Sequence, residues 1–113
     1  MAKIHISPEA QRDLHDIREY ITVELENPAA AVNTVSKITK AIRNLVNFPA
    51  SGAPLSSIVD APNDYRFLTC SRYLVFYRHE GNNVYIARVL YGGRDYIKIL
   101  FSDVPEDETE PVS

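Results

Sequence analysis

Apolar residues recur at steps of three and four over two stretches in the first half of the chain. Ser7-Pro8 precedes the first stripe and Asn27-Pro28 precedes the second, and both pairs indicate helix starts, because Ser and Asn cap free amides and proline suits the first helical position. Phe48-Pro49 ends the second stripe. The stripes comprise Ala10, Leu14, Ile17, Ile21 and Leu25, followed by Val32, Val35, Ile38, Ile42 and Leu45. The short joint between them predicts an antiparallel helical hairpin.

Strand patterns flank these helices. Residues 3–6 alternate polar and apolar, as a half-buried strand does. Gly81-Asn82-Asn83 offers the turn residues of a hairpin. Runs rich in Tyr, Val, Ile and Phe predict three later strands, at residues 65–70, 72–80 and 84–91.

The remaining segments are less regular. Three prolines and a glycine within residues 49–64 predict an irregular loop. Residues 94–101 fit either a short strand or a helical turn. The residues after 102 are acidic and rich in proline, which predicts a disordered tail at 103–113. The chain is therefore expected to form one domain over residues 1–102.

The order of these elements predicts an α+β fold of the form β-α-α-β-β-β. A helical hairpin with one apolar face should cover one side of a small antiparallel sheet. The far side of the sheet should then stay open. In the last strand, alternation places Arg88 on the same side as Val84, Ile86 and Leu90.

The net charge of −3 hides an uneven distribution. Residues 103–113 hold five acids and no base. Residues 65–102 carry six bases against two acids, a net charge of +4, which favours an anionic partner. Those bases are Arg66, Arg72, Arg78, Arg88, Arg94 and Lys98.

Composition also bounds the location of the protein. Its single cysteine, Cys70, cannot form an internal disulfide. Residues 1–7 are too short and polar for a signal peptide, and no stretch approaches the roughly 20 apolar residues of a membrane helix. These features predict a cytoplasmic protein that does not enter a membrane.

The second half of the chain resembles the ParE/RelE family of type II toxin–antitoxin toxins. Residues 73–81 form an aromatic-rich strand containing Tyr77-Arg78, a turn follows, and residues 88–95 read Arg-Val-Leu-Tyr-Gly-Gly-Arg-Asp. The family pattern there is Arg-Val-Leu-His-Gly-x-Arg-Asp, so Tyr91 stands where most members carry histidine. The resemblance covers residues 3–101 and is strongest to the ParE branch.

This resemblance implies a RelE/ParE-like fold. It also implies a toxin that inhibits growth and belongs to a system of the kind that stabilises plasmids. A cognate antitoxin would hold the toxin inactive, and no cofactor is expected. ParE-like members inhibit DNA gyrase by binding it, which is the favoured function. A toxin dimer and an assembly with antitoxin both stay open as oligomeric states.

The alternative is the RelE-like branch, whose members cut messenger RNA on the ribosome without a metal. Such a nuclease needs cations for the phosphorane and groups that move protons. Arg72, Arg94 and Tyr96 are the candidate catalytic residues under that hypothesis. The absence of Lys and Arg from residues 49–64 weighs against it. An inactive or repurposed toxin fold is a third alternative.

The expected surface for target and antitoxin is the basic C-terminal part of the chain. Its predicted members are Arg66, Arg72, Arg88, Tyr91, Arg94 and Lys98. A metal site is not expected, because His5, His15 and His79 lie on separate elements without metal-ligand spacing. Gly92-Gly93 lacks the Lys-Ser or Lys-Thr that would follow in a phosphate loop.

Overall fold

The computed structural model describes residues 1–60 and 62–101. The predicted acidic tail at 103–113 lies outside these residues. Within the described part, no helix has both the length and the apolar character needed to cross a membrane.

Both predicted helices form. Helix α1 spans Pro8–Glu19 and continues as a π-helical turn over Tyr20–Glu24, and helix α2 spans Pro28–Asn44. The predicted caps are confirmed, because the side chains of Ser7 and Asn27 accept hydrogen bonds from the amides three residues later.

The apolar stripes are correct except at the joint between the helices. Leu25 and Val32 were expected on the buried stripe but are 56% and 57% exposed. The π-helical turn takes an extra residue, which rotates Leu25 away from the sheet. In α2 the buried stripe begins at Ala31 instead, four residues before Val35.

The strands form one five-stranded sheet in the order β1-β5-β4-β3-β2. Their bounds are Lys3–Ile6, Ala53–Pro54, Arg66–Cys70, Tyr73–Glu80 and Asn83–Tyr91 for β1 to β5. Residues 96–100 form a short helix, α3, which settles the alternative left open by the sequence.

The sheet is mixed rather than wholly antiparallel. Strands β3 to β5 pair antiparallel as expected, but β1 pairs parallel with β5. The short strand β2 lies in the segment that was predicted to be an irregular loop, and it pairs antiparallel with β3. The end of α2 lies beside the start of β1, where the Ala2 N–H donates to the Val46 carbonyl at 2.9 Å. Strands β3, β4 and β5 alternate in direction, so β3 and β5 both run in the same direction as β1.

A bulge in β5 overturns the predicted facing of its second half. The register passes from Phe76 opposite Arg88 to Tyr77 opposite Ile86, so Ala87 has no partner. An extra residue shifts the alternation by one. Consequently Val89, not Leu90, shares the helix-covered face with Val84 and Ile86.

The far face of the sheet is partly covered by the chain itself, which corrects the expectation of an open face. Leu55 and Val59, from the loop predicted to be irregular, pack with Phe76 and Leu90. Helix α3 adds to this second cluster, chiefly through its apolar side chains. The partly buried members are Tyr65, Phe67, Leu74, Tyr96, Ile99, Leu100 and Phe101.

Tyr77 ties the exit of α2 to the sheet. Its buried hydroxyl accepts a hydrogen bond from the Gly52 N–H at 2.8 Å. Burial raises the pKa of Tyr77, whereas the hydrogen bond from Gly52 and the nearby charge of Arg66 lower it. A Cβ on residue 52 would lie 2.7 Å from that hydroxyl, so the close approach requires glycine.

We expect Tyr77→Phe to lower the free energy of unfolding by about 1–3 kcal/mol, because it strands a buried N–H donor. Chemical denaturation followed by circular dichroism measures this difference. Tyr85→Phe is the matched control, since Tyr85 lies on β5 with an exposed side chain, and its hydroxyl forms no hydrogen bond with residues 1–60 or 62–101. Equal stability of the two variants would contradict the assigned bond.

Candidate functional site

An open groove of about 780 Å³ lies where α1 and the π-helical turn meet one end of the sheet. One wall consists of helical residues, including Asp16 and Tyr20. The opposite wall consists of residues from the β3–β4 turn and the end of β5. Its principal side chains are Arg72, Tyr91 and Arg94, and the apolar floor includes Ile17, Ile21 and Val89.

Asp13 joins the two walls. Its carboxylate accepts hydrogen bonds from the Arg88 guanidinium at 2.8 Å through both oxygens, and from the Val89 N–H at 2.9 Å. The side chain of Asp13 is 9% exposed and that of Arg88 is 27% exposed. The hydrogen bond to Asp13 is the main cause of a raised Arg88 pKa. The pair fixes α1 against the edge of β5 that extends beyond β1.

Two tight bends of the backbone position the wall that carries Arg72, Tyr91 and Arg94, which we call the arginine wall. Ser71 adopts a left-handed conformation with φ of 60°, which places Arg72 in the turn immediately before β4. The Arg72 carbonyl accepts from the Gly92 N–H at 2.9 Å, and the Arg94 N–H donates to the Tyr91 carbonyl at 3.0 Å. These backbone bonds bring the two arginines, far apart in sequence, to one wall.

Three tyrosines surround the groove. Tyr73 and Tyr91 meet edge to face with ring centroids 6.1 Å apart. Burial raises the pKa of Tyr73, and the nearby Tyr20 and Tyr91 raise it further. Tyr20 and Tyr91 are 52% and 47% exposed, and Leu25, which also lines the groove, is 56% exposed. The groove thus presents aromatic and aliphatic surface beside two guanidinium groups.

The structure brings together only part of the predicted site. Arg72, Tyr91 and Arg94 share the groove, whereas Arg88 forms the ion pair with Asp13. Arg66 lies at the other end of β3, where it donates to the Gly52 carbonyl at 2.7 Å.

The other two predicted residues lie on α3. The Tyr96 ring packs on Phe76 with centroids 5.1 Å apart, within the apolar cluster on the far face. The backbone N–H of Lys98 donates to the Asp95 side chain, which caps this helix. Neither residue lines the groove.

Sequence reasoning missed the helical wall of the groove. Asp16 and Tyr20 are not among the predicted site residues, and Leu25 was predicted to lie on the buried stripe, yet all three line the groove. The sequence does contain a signal for this wall: Tyr20 and Val23 are large apolar residues near the end of the first stripe, at positions that do not belong to it. The π-helical turn that exposes this segment has no recognisable sequence pattern.

One exposed group of side chains on α1 could hold a metal ion. The ligand atoms of His15, Asp16 and Glu19 lie within 4.8 Å of one another. Exposed acidic residues commonly meet in this way on helices, so the geometry alone supports no assignment.

Cys70 is half-buried against the helix-covered core. Burial raises the pKa of its thiol, an effect that Lys37 partly offsets. Since the thiolate is the reactive form, Cys70 should react with a disulfide reagent at pH 8 more slowly in the native protein than in urea. Absorbance after mixing with Ellman's reagent measures both rates, and equal rates would refute the shielding.

Comparisons with known proteins agree with this architecture. A family model described as the ParE toxin of the type II toxin-antitoxin system, parDE, matches residues 4–96. Among solved structures, the chain is similar to one described as the chromosomal ParDE TA system from P. aeruginosa. The two share 24% identity with a TM-score of 0.66, over 80% of this chain and 96% of that chain, which supports a common fold. The search of curated proteins found no significant match.

Proposed function

The chain belongs to the ParE toxin family of type II toxin–antitoxin systems, and we propose that it inhibits DNA gyrase by binding it. A cognate antitoxin would neutralise this activity by covering the same surface. The groove between α1 and the sheet end is the proposed binding site, with Arg72, Tyr91 and Arg94 as its central contacts.

The composition of the groove carries this proposal. Tyrosine and arginine are enriched at protein interfaces, where their large side chains supply most of the binding energy. Here Tyr20, Tyr91 and the two arginines surround an apolar floor. Such a surface is suited to a partner segment with apolar side chains and a carboxylate near the arginines.

The same groove is poorly suited to RNA cleavage. An RNA backbone there would lie against Asp16 and beside Asp13, and phosphate binding depends on cations. Among the residues considered for catalysis, Tyr96 packs in an apolar cluster away from the groove. One observation favours the nuclease alternative: Arg72 and Arg94 share one wall, as a phosphorane would require.

Two assays on the purified protein separate the two functions. We expect it to inhibit supercoiling by purified bacterial DNA gyrase and to leave messenger RNA intact on translating ribosomes. Cleavage of the RNA without gyrase inhibition would establish the nuclease alternative instead. Inactivity in both assays, from folded protein, would favour a repurposed fold.

The antitoxin part of the proposal has a separate test. Co-expression with the product of an adjacent reading frame should yield a complex in which amides 91–94 exchange hydrogen more slowly than in the isolated protein. Exchange that is unchanged there, while slowed elsewhere, would place the antitoxin on another surface.

A further inference from the structure

Two arginines of the basic half have no partner in the described structure. Arg66 donates to backbone carbonyls, Arg78 pairs with Asp64 and Arg88 pairs with Asp13. By contrast, the side chains of Arg72 and Arg94 form no hydrogen bond or ion pair with any residue in 1–60 or 62–101. Both lie on one wall of the groove, and both are exposed. Within the described residues, this wall therefore carries two positive charges that no acidic side chain neutralises.

The chain itself supplies negative charge close to this wall. Residues 102–113 hold five carboxylates and no basic residue, along with Val104 and Val112. The described structure ends at Phe101, whose ring meets that of Tyr65 at 5.8 Å. Tyr65 precedes β3, and the other end of β3 leads into Arg72.

The distance between these points is within reach of the segment. The five residues of β3 extend over about 17 Å. Twelve residues can span up to about 40 Å, so half of residues 102–113 is enough to return from Phe101 to Arg72. Glu108 and Glu110 can then meet the arginines without strain in the connection.

We propose that residues 102–113 bind the arginine wall of their own molecule and so compete with external partners for the groove. Covalent connection gives the segment an effective concentration of about millimolar, so weak individual contacts suffice. The acids would lie along Arg72 and Arg94, because Asp16 on the opposite wall repels them. This contact does not depend on which partner the groove serves.

A peptide comprising residues 102–113, labelled with fluorescein, tests the contact in trans. The receptor is the full chain with all five acidic residues of its tail neutralised, by Asp103→Asn, Glu106→Gln, Asp107→Asn, Glu108→Gln and Glu110→Gln. We expect anisotropy to show binding to this variant and at least about tenfold weaker binding to the natural chain, whose own tail occupies the wall. Circular dichroism verifies that both proteins are folded.

Matched charge removals locate the contact. Adding Arg72→Ala and Arg94→Ala to the neutralised chain should abolish peptide binding, whereas adding Lys40→Ala and Arg43→Ala on the exposed side of α2 should not. Absence of peptide binding, or an equal loss from both pairs, would overturn the proposal. Neither outcome bears on gyrase inhibition, which the supercoiling assay measures separately.

Discussion

Asp13→Ala is expected to lower the free energy of unfolding by about 3–5 kcal/mol, a large part of the stability of a domain of this size. The substitution removes three hydrogen bonds at once, two from Arg88 and one from the Val89 N–H. It also leaves a guanidinium, largely shielded from water, without its counter-charge. Urea denaturation at neutral pH measures the difference.

Asp16→Ala provides the control for Asp13→Ala. Asp16 lies one turn away on α1 and is exposed, and its side chain forms no hydrogen bond within the described residues. Its replacement should change stability by no more than about 0.5 kcal/mol. Similar losses from the two substitutions would show that the Asp13 network does not stabilise the fold.

Local chemistry made the helices predictable from the sequence. The caps at Ser7 and Asn27 act within three residues, and proline at the next position has a fixed backbone angle. The same holds for the β4–β5 turn, where Gly81 adopts a positive φ of 60°. These signals depend on neighbours in sequence, so a single chain is enough to read them.

Long-range pairing was not predictable in the same way. Asp13 and Arg88 are 75 residues apart, and no local pattern links a helical acid to a strand arginine. The bulge at Ala87 carries no glycine signal, although it reverses the facing of the residues that follow. Likewise, Leu55 and Val59 belong to a segment whose prolines and glycine predicted an irregular loop, so nothing in the sequence indicated that they would be buried.

The two walls of the groove also differ in how far the sequence predicts them. Arg72, Tyr91 and Arg94 were predicted as members of a surface formed by the basic C-terminal part of the chain, and the structure groups them on one wall. The opposite wall depends on how α1 and the π-helical turn pack against the sheet. Tertiary packing determines that arrangement, so the sequence pattern showed one half of the groove only.

Replacing both groove arginines, Arg72→Ala with Arg94→Ala, should abolish growth arrest while preserving the fold. Arginine contacts at interface centres commonly contribute about 2 kcal/mol or more, so each loss would weaken binding by about thirtyfold. Two additive losses would approach a thousandfold. Stability should change little, because neither side chain forms a hydrogen bond or ion pair within residues 1–60 and 62–101.

The measurement is the number of colonies that survive induced expression of each variant, with protein levels matched by immunoblot. Lys40→Ala with Arg43→Ala removes the same charge from exposed positions of α2 outside the groove, so this pair should remain toxic. Any general effect of net charge on steering toward an acidic partner acts on both pairs alike. Because the two pairs remove the same charge from different surfaces, continued growth arrest by the groove variant would exclude the arginine wall as the target surface, whatever the target is.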